Sequence, residues 1–188
     1  MDNISTSLKN NFLIAMPSLN DAFFYQSVIY LCEHSNQGAM GLIINRPSKI
    51  MLSELLDHID IPHHGPSNST IPVLLGGPVA QNQGMVLHDS ANNIETSVPI
   101  SDSVFLNGSS DILRTLANQT DPSNLLVTLG YASWSAGQLE QEIANNDWLN
   151  VEADNDILFH SSGQSSWQQA ASLLGVDIQL ISGSIGHA

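Results

Sequence analysis

Only four side chains in this sequence of 188 residues are lysine or arginine, and one of them lies at the end of an apolar run. That residue is Arg46, which lies between Asn45 and Pro47 in the stretch HSNQGAMGLIINRP. A guanidinium group can hold a carboxylate or a phosphate through two parallel hydrogen bonds, so Arg46 could anchor an anion. It could equally end a strand as a structural cation that pairs with a carboxylate or extends to water. The sequence leaves both interpretations open.

A second candidate anion site is the stretch GYASWSAGQLE, which has the pattern of a strand, a turn and a helix start. Ser135 and Gln138 have the spacing of a capping box, and the free N–H groups of a helix N-terminus favour anions. The adjacent glycines 76 and 77 permit a close backbone approach or a tight turn. The binding residues that we predict, on the assumption that these segments meet in space, are Asn45, Arg46, Gly76, Gly77, Tyr131, Ser133, Trp134, Ser135 and Gln138.

The predicted strand-to-helix turn over Tyr131–Gln138 also has a purely structural interpretation. Small residues between a strand and a helix are first a solution to packing, and Trp134 can belong to the core. The stretch lacks the glycine-rich fingerprints of phosphate and dinucleotide loops. It also lacks the G-x-S-x-G pattern that presents a nucleophile.

The histidines and the single cysteine form no complete catalytic or metal-binding set. His63 and His64 lie in a loop without the helical spacing of a metal site. His34 and His88 each end a predicted strand, and the polar residues beside them in sequence do not establish a catalytic triad. Cys32 lies within an apolar run, which predicts a buried and inert thiol. We therefore expect no catalytic residue, no metal and no cofactor, and the sequence favours a non-enzymatic protein.

The charge of the chain limits its partners. The formal net charge is −14, and the four cations, Lys9, Arg46, Lys49 and Arg114, form no basic stripe. Direct binding to nucleic acid or to an anionic membrane is therefore not expected. Apolar runs are shorter than the roughly 20 residues of a membrane span, and Phe12–Met16 is too short for the core of a signal peptide. We expect a cytoplasmic protein whose partners are cationic or neutral.

Apolar patterns predict a domain in which strands outnumber helices. A hairpin is expected around the turn 35–38, Pro47 should stop its second strand, and Leu125–Leu129 should be central because it is the most apolar. Short amphipathic helices are expected over residues 52–59, after Ser109 or Ser110, after Ser135, and around residues 167–174 with Gly175 as the C-cap. The predicted strands are Phe12–Met16, Ser27–Glu33, Met40–Asn45, Val73–Leu75, Gly84–His88, Ile94–Ile100, Val104–Leu106, Leu125–Leu129 and Val176–Leu180.

Several of these stretches together resemble the AlgH family of bacterial proteins, also called the YqgE family. The matching motifs are NFLIAMPSL (11–19), VIYLCEHSNQGAMGLIINRP (28–47), LLGGPV (74–79), GMVLH (84–88), LGYASWSAGQLEQEIANNDWL (129–149) and the final GHA (186–188). The resemblance implies one α+β domain over residues 1–188, with residues 1–10 loosely ordered. Its sheet would be mixed, bifurcated and partly barrel-like, and surrounded by helices. The sequence departs from the family pattern at Gln83 and Ser166, where the family favours arginine.

The resemblance implies no activity, because members of this family are described as uncharacterised proteins or as transcriptional regulators. Our first hypothesis is a regulatory or adaptor protein that acts through contacts with an unknown protein partner, so that any effect on transcription is indirect. The alternative is a small-anion-binding protein or enzyme that uses Arg46 and the turn over Tyr131–Gln138.

Overall fold

The computed structural model describes residues 7–64, 70–89, 96–117, 124–161 and 163–181. The predicted loose segment 1–10 lies partly outside these residues, as does the predicted strand Ile94–Ile100, and the final GHA lies wholly outside them. The strands are β1 Asn11–Ala15, β2 Val28–Ser35, β3 Gly38–Ile43, β4 Pro47–Met51, β5 Pro72–Leu75, β6 Val79–Asp89, β7 Val98–Pro99, β8 Val104–Asn107, β9 Leu125–Ser135 and β10 Trp148–Glu152. The helices are α1 Leu52–His58, α2 Ser110–Ala117, α3 Gln138–Ala144, α4 Asn155–His160, α5 Gly163–Ser172 and α6 Ile178–Ile181.

The strands form one curled, half-barrel sheet that divides at β9. Its main path is β10-β1-β2-β3-β9-β6-β8-β7, in which neighbours are antiparallel, and β4 and β5 form a branch. The first half of β9 pairs with β6 and, in parallel, with β5, and its second half pairs with β3. The predicted α+β class with a mixed, bifurcated sheet is therefore confirmed, as is the central position of Leu125–Leu129.

Among the residues that the structure describes, three apolar clusters cover the two faces of this sheet. Alternate residues of β2 point to opposite faces, so that Tyr30 joins the cluster under α4 and α5 while Ile29 and Leu31 join the cluster under α3. A strand that is buried on both faces requires a continuous apolar run, which explains the stretch VIYLC. The third cluster joins α1 and α2 to the first half of β9.

The hairpin, α1 and α2 are confirmed, whereas α5 ends at Ser172 and Gly175 lies in the turn that follows it rather than at the C-cap. Ser35 pairs with Gly38 across the predicted turn, and the hydroxyl of Ser109 accepts the N–H of Asp111 at 3.1 Å at the start of α2. Gly175 has a φ of +72° shortly after α5, and its N–H donates to the carbonyl of Ser172 at 2.9 Å. Glycine adopts this left-handed backbone without a steric cost.

The predictions for Pro47 and for Val176–Leu180 are wrong, and both errors have a local cause. Pro47 opens the edge strand β4 rather than closing β3, because a proline without an N–H fits the first position of an edge strand. The alternating segment Val176–Leu180 is not a strand, since it contains the helical turn α6 and packs against α5. The carboxylate of Asp177 accepts the N–H of Gln179 at 3.0 Å and starts this turn. Strand β10 and helix α4 are not predicted from the sequence.

Replacement of Gly130 by alanine should strongly destabilise the fold, because β9 and the Gly76-Gly77 segment touch through their backbones. A Cβ atom at Gly130 would lie 2.5 Å from the carbonyl oxygen of Gly77, and its φ is +75°. Gly137 is a matched control, because its φ is +76° and a Cβ atom there would meet open space. We expect Gly137→Ala to lower the free energy of unfolding by about 1 kcal/mol and Gly130→Ala by at least about 3 kcal/mol in urea denaturation. Equal losses would contradict the backbone contact.

Candidate functional site

Arg46 holds the chain together rather than facing an open site. It lies between β3 and β4, and its guanidinium group donates to three backbone carbonyls in the segment before β2. These are the carbonyls of Ala22 at 3.1 Å, of Phe23, and of Tyr25 at 2.9 Å. The structural interpretation of Arg46 is therefore favoured, although its partners are carbonyl oxygens rather than a carboxylate.

Asn45 uses its side-chain amide in the same structural way. Its Oδ1 accepts the N–H of Val28 at 2.9 Å, and its Nδ2 donates to the carbonyls of Gln26 at 2.9 Å and Gly163 at 3.3 Å. The side chain is buried, so these hydrogen bonds satisfy polar atoms that water cannot reach. Asn45 thereby joins the start of β2 to the start of α5.

Gly76 and Gly77 lie against strand β9. The N–H of Gly76 donates to the carbonyl of Leu129 at 2.8 Å, and its carbonyl accepts the N–H of Ile43 at 2.9 Å. A Cβ atom at Gly77 would lie 2.1 Å from the carbonyl carbon of Tyr131. The close approach expected of this glycine pair is present, and it serves the packing of two backbone segments.

The predicted strand-to-helix turn over Tyr131–Gln138 is wrong in its first part, because β9 continues as regular strand through Ser135. Pairing with β3 extends the strand beyond the apolar run from which it is predicted. The spacing of Ser135 and Gln138 allows one hydrogen bond between them, in which Oε1 of Gln138 accepts the N–H of Ser135 at 3.0 Å. Helix α3 then begins at Gln138 itself, after Gly137 in a left-handed conformation.

The carboxylate of Glu142 organises the tryptophan-containing stretch as a packed core. Its Oε2 accepts the indole N–H groups of Trp134 at 2.8 Å and of Trp148 at 2.9 Å, and its Oε1 accepts from Nε2 of Gln138 at 3.0 Å. The two indole rings meet edge to face, with centroids 6.2 Å apart. Trp134, Trp148 and Leu139 lie in the cluster under α3, so this part of the chain is structural.

The predicted binding residues do not form one site. Ser135 pairs with Gly38 at the first residue of β3, whereas Arg46 follows the far end of that strand. The five residue steps from Gly38 to Ile43 correspond to roughly 16 Å of strand. Arg46 is therefore separated from the start of α3, while Gly76 and Gly77 lie between these two ends.

His34 is buried and bonded on both ring nitrogens. Its Nδ1 accepts the N–H of Leu8 at 2.9 Å, so the proton of the neutral ring lies on Nε2, which faces Glu140 at 3.0 Å. Burial raises the pKa of the Cys32 thiol to about 12, in accord with the inert thiol that the sequence predicts. In the described segments, the structure contains no group of three or more histidine, cysteine, aspartate or glutamate residues placed to hold a metal ion.

A groove between α1, β4 and β6 forms an open concave surface with an apolar floor. Its volume is about 530 Å³. We call it the α1–β4 groove; its lining residues are Lys49, Ile50, Glu54, Leu55, His58, Ile59, Asn82 and Leu129. A separate cavity of about 230 Å³ lies next to Leu74 and Phe159.

The groove results from a bulge in β6 and from the two apolar flanks of α1. Between two paired positions, β6 contains five residue steps, from Val79 to Gly84, whereas β9 contains two, from Tyr131 to Leu129. The extra residues of β6 form an outward bulge, and Asn82 in this bulge lines the groove. Helix α1 has apolar residues on two flanks. Leu52 and Leu56 enter the core, whereas Leu55 and Ile59 line the groove.

The rim of the groove combines exposed aliphatic side chains with one available cation. Ile50 is 40% exposed and Ile59 is 36% exposed. Leu75 is 39% exposed and pairs in parallel with Leu129, so its side chain lies on the same face of the sheet as this floor residue. Within the described part of the chain, Lys49 makes no hydrogen bond or ion pair, unlike the other three cations.

The groove is not predicted from the sequence, although the sequence contains a signal for it. The apolar spacing of Leu52, Leu55, Leu56 and Ile59 predicts a single buried stripe, but a short helix on a sheet edge buries only part of so wide a stripe. Because the sequence predicts that Pro47 ends a strand, it assigns Lys49 to no strand or helix. The bulge of β6 depends on its pairing with β9, so no pattern in the sequence of β6 itself predicts it.

Comparison with known proteins agrees with this fold. Residues 12–179 match a family model described as AlgH-like, DUF179. The chain belongs to the AlgH-like family. The resemblance that the motifs indicated is therefore confirmed.

Relatives of this AlgH-like protein share its full length. A UPF0301 protein of Thioalkalivibrio sulfidiphilus is 50% identical over 184 residues, which are 98% of each chain. A UPF0301 protein of Chromobacterium violaceum is 46% identical and covers 98% of this chain and 99% of its own. The solution structure of the AlgH protein from Pseudomonas aeruginosa has 40% identity and a TM-score of 0.77, with both chains covered completely.

A more distant crystal structure shows that the fold persists at low sequence identity. Protein DIP2367 from Corynebacterium diphtheriae is 20% identical, with a TM-score of 0.73 over 96% of this chain and 93% of its own. Among the helices that the structure describes here, none has the length and apolar character needed to cross a membrane.

Replacement of Arg46 should cost stability and should not reveal a lost ligand. We expect Arg46→Ala to lower the free energy of unfolding by about 2 kcal/mol in urea denaturation, because three carbonyls lose a charged donor. Arg46→Lys should restore little, since a single ammonium group does not reproduce the planar fork. Lys49→Ala removes an exposed cation and should leave stability unchanged. A phosphate-dependent stabilisation of the wild type that disappears in Arg46→Ala would contradict this assignment.

Proposed function

We propose that this AlgH-like protein is a non-enzymatic adaptor or regulatory protein of the cytoplasm, and that it docks a partner protein in the α1–β4 groove. The observation that carries the proposal is the pair of exposed aliphatic side chains Ile50 and Ile59 beside an open apolar floor, with Leu75 exposed next to the floor residue Leu129. Apolar surface rimmed by polar residues is typical of protein interaction sites. The groove also matches the way in which an apolar face of a partner segment enters a surface depression.

The contacts of Arg46 argue against the alternative, in which this side chain binds a small anion. The guanidinium group is bonded to the carbonyls of Ala22, Phe23 and Tyr25, so an anion would have to displace an internal clamp. Helix α3 spans only seven residues, and the side chain of Gln138 turns back to the N–H of Ser135 at its start. These contacts favour protein docking over recognition of a small anion.

An effect of this protein on transcription would be indirect. The net charge of −14 opposes contact with phosphates, and the four cations are spread over the chain. Lys9 donates to the carbonyl of Pro99 at 2.9 Å, and Arg46 is bound to the segment before β2. A groove that binds a protein would let the chain act on regulators without touching DNA.

Site-specific photocrosslinking in the native cytoplasm tests the docking proposal. A photoreactive phenylalanine analogue at position 50 should yield defined crosslinked protein adducts, because Ile50 lies on the rim of the groove. The same analogue at position 98 or 180 is the control, since Val98 and Leu180 are 57% and 72% exposed and do not line the groove. The products would be separated by electrophoresis and identified by mass spectrometry.

Competition within the groove separates specific docking from random collision. Addition of Ile59→Glu to the position-50 protein should reduce the adduct at least about tenfold, since a carboxylate on the apolar wall opposes desolvation. Ser53→Glu adds the same charge to α1 at a position that does not line the groove and should preserve the adduct. The same adducts from positions 98 and 180, or no effect of Ile59→Glu, would contradict the proposal.

A further inference from the structure

We infer that the segment docked in the α1–β4 groove presents a carboxylate to Lys49 and apolar side chains to Ile50, Leu55 and Ile59. This inference rests on the proposed docking function and specifies the chemistry of the partner. It follows from the charged groups that line the groove, Lys49 and Glu54, of which Lys49 makes no hydrogen bond or ion pair with the described residues.

Lys49 is the cation of this chain that remains available for an external partner. Nζ of Lys9 donates to the carbonyl of Pro99, Arg46 clamps three carbonyls, and Arg114 has an interaction of its own. Lys49 is exposed on β4 and forms no hydrogen bond or ion pair with the described residues. An exposed ammonium group contributes selection of a charged partner more than affinity.

The acidic groups near the groove are partly occupied by the protein itself. Oε2 of Glu54 accepts the N–H of Met51 at 2.8 Å, which caps the start of α1. Asp57 lies 3.1 Å from Nε2 of His63 and does not line the groove. His58 places an imidazole ring on the same wall. A carboxylate on the partner complements Lys49, although Glu54 also lines the groove and the whole chain is acidic.

A second copy of the chain fits the groove edge poorly. Antiparallel pairing of two β4 strands about their centre would place Lys49 directly opposite Lys49, and like charges in that position repel. Pro47 at the start of β4 and Lys49 within it are features by which edge strands resist pairing with another strand. Two chains of net charge −14 also repel each other at long range.

Selection from a random peptide library displayed on phage tests this chemistry, because it requires no identified partner. The immobilised full chain should enrich peptides that combine aspartate or glutamate with neighbouring aliphatic or aromatic residues. Affinity of an enriched peptide, measured by fluorescence polarisation, should fall about tenfold in Lys49→Glu. A peptide in which the carboxylate residue is changed to lysine should bind the Lys49→Glu protein more tightly than it binds the wild-type protein.

Matched variants separate the charge contact from general electrostatics and from loss of the groove. Lys9→Glu changes the net charge by the same amount at a site outside the groove lining and should leave affinity within about twofold of the wild type. Ile59→Glu and Ile50→Glu should each abolish binding. Circular dichroism and urea midpoints confirm that each variant is folded before its affinity is compared.

The outcomes distinguish the inference from the function on which it rests. Equal binding to wild type and Lys49→Glu, with loss of binding in both isoleucine variants, overturns the carboxylate contact and leaves groove docking intact. Enriched peptides that bind the folded isoleucine variants as well as the wild type overturn groove docking and the inference together. Failure to enrich any peptide has the same consequence.

Discussion

The backbone contact between β9 and the Gly76-Gly77 segment is the constraint on which the rest of the structure depends. Strand β9 pairs with three other strands near this contact: with β5 and β6 along its first half, and with β3 along its second half. Side chains at positions 76, 77 or 130 would push these segments apart, since each Cβ atom would lie within 2.5 Å of a backbone atom. The division of the sheet therefore requires glycine on both sides of the contact.

The same contact places the other groups that the sequence marks as a candidate site. It puts the loop after β3 beside β5, where the N–H of Leu75 donates to the carbonyl of Arg46 at 2.8 Å. The Arg46 side chain then reaches the carbonyls before β2. On the far side of the contact, β6 bulges away from β9 and leaves Leu129 at the floor of a groove. The contact between β9 and the Gly76-Gly77 segment therefore positions both the structural hydrogen bonds of Arg46 and the open α1–β4 groove.

The sequence predicts those elements whose signals are local. The hairpin at residues 35–38 follows from turn chemistry, the central position of Leu125–Leu129 follows from its apolar run, and the left-handed Gly175 lies in the turn that follows α5. The helical turn at Ile178 escaped prediction because alternation favours a strand only where a sheet edge accepts it. The groove escaped prediction because it needs a bulge in β6, which arises from pairing across the junction. Arg46 is exceptional in the sequence, but its three carbonyl partners lie more than twenty residues earlier in the chain.

Methyl NMR of the whole chain tests most directly whether the α1–β4 groove is the functional surface. Isoleucine and leucine methyl groups would be labelled, and spectra recorded while a clarified extract of the native host is added. If the groove binds the partner, line broadening will be confined to Ile50, Leu55, Ile59, Leu75 and Leu129, and the signals of Leu180 will be unchanged. Broadening centred on the methyl groups of Ile43 and Ile44, close to Arg46 in the chain, with the groove unchanged, would contradict it.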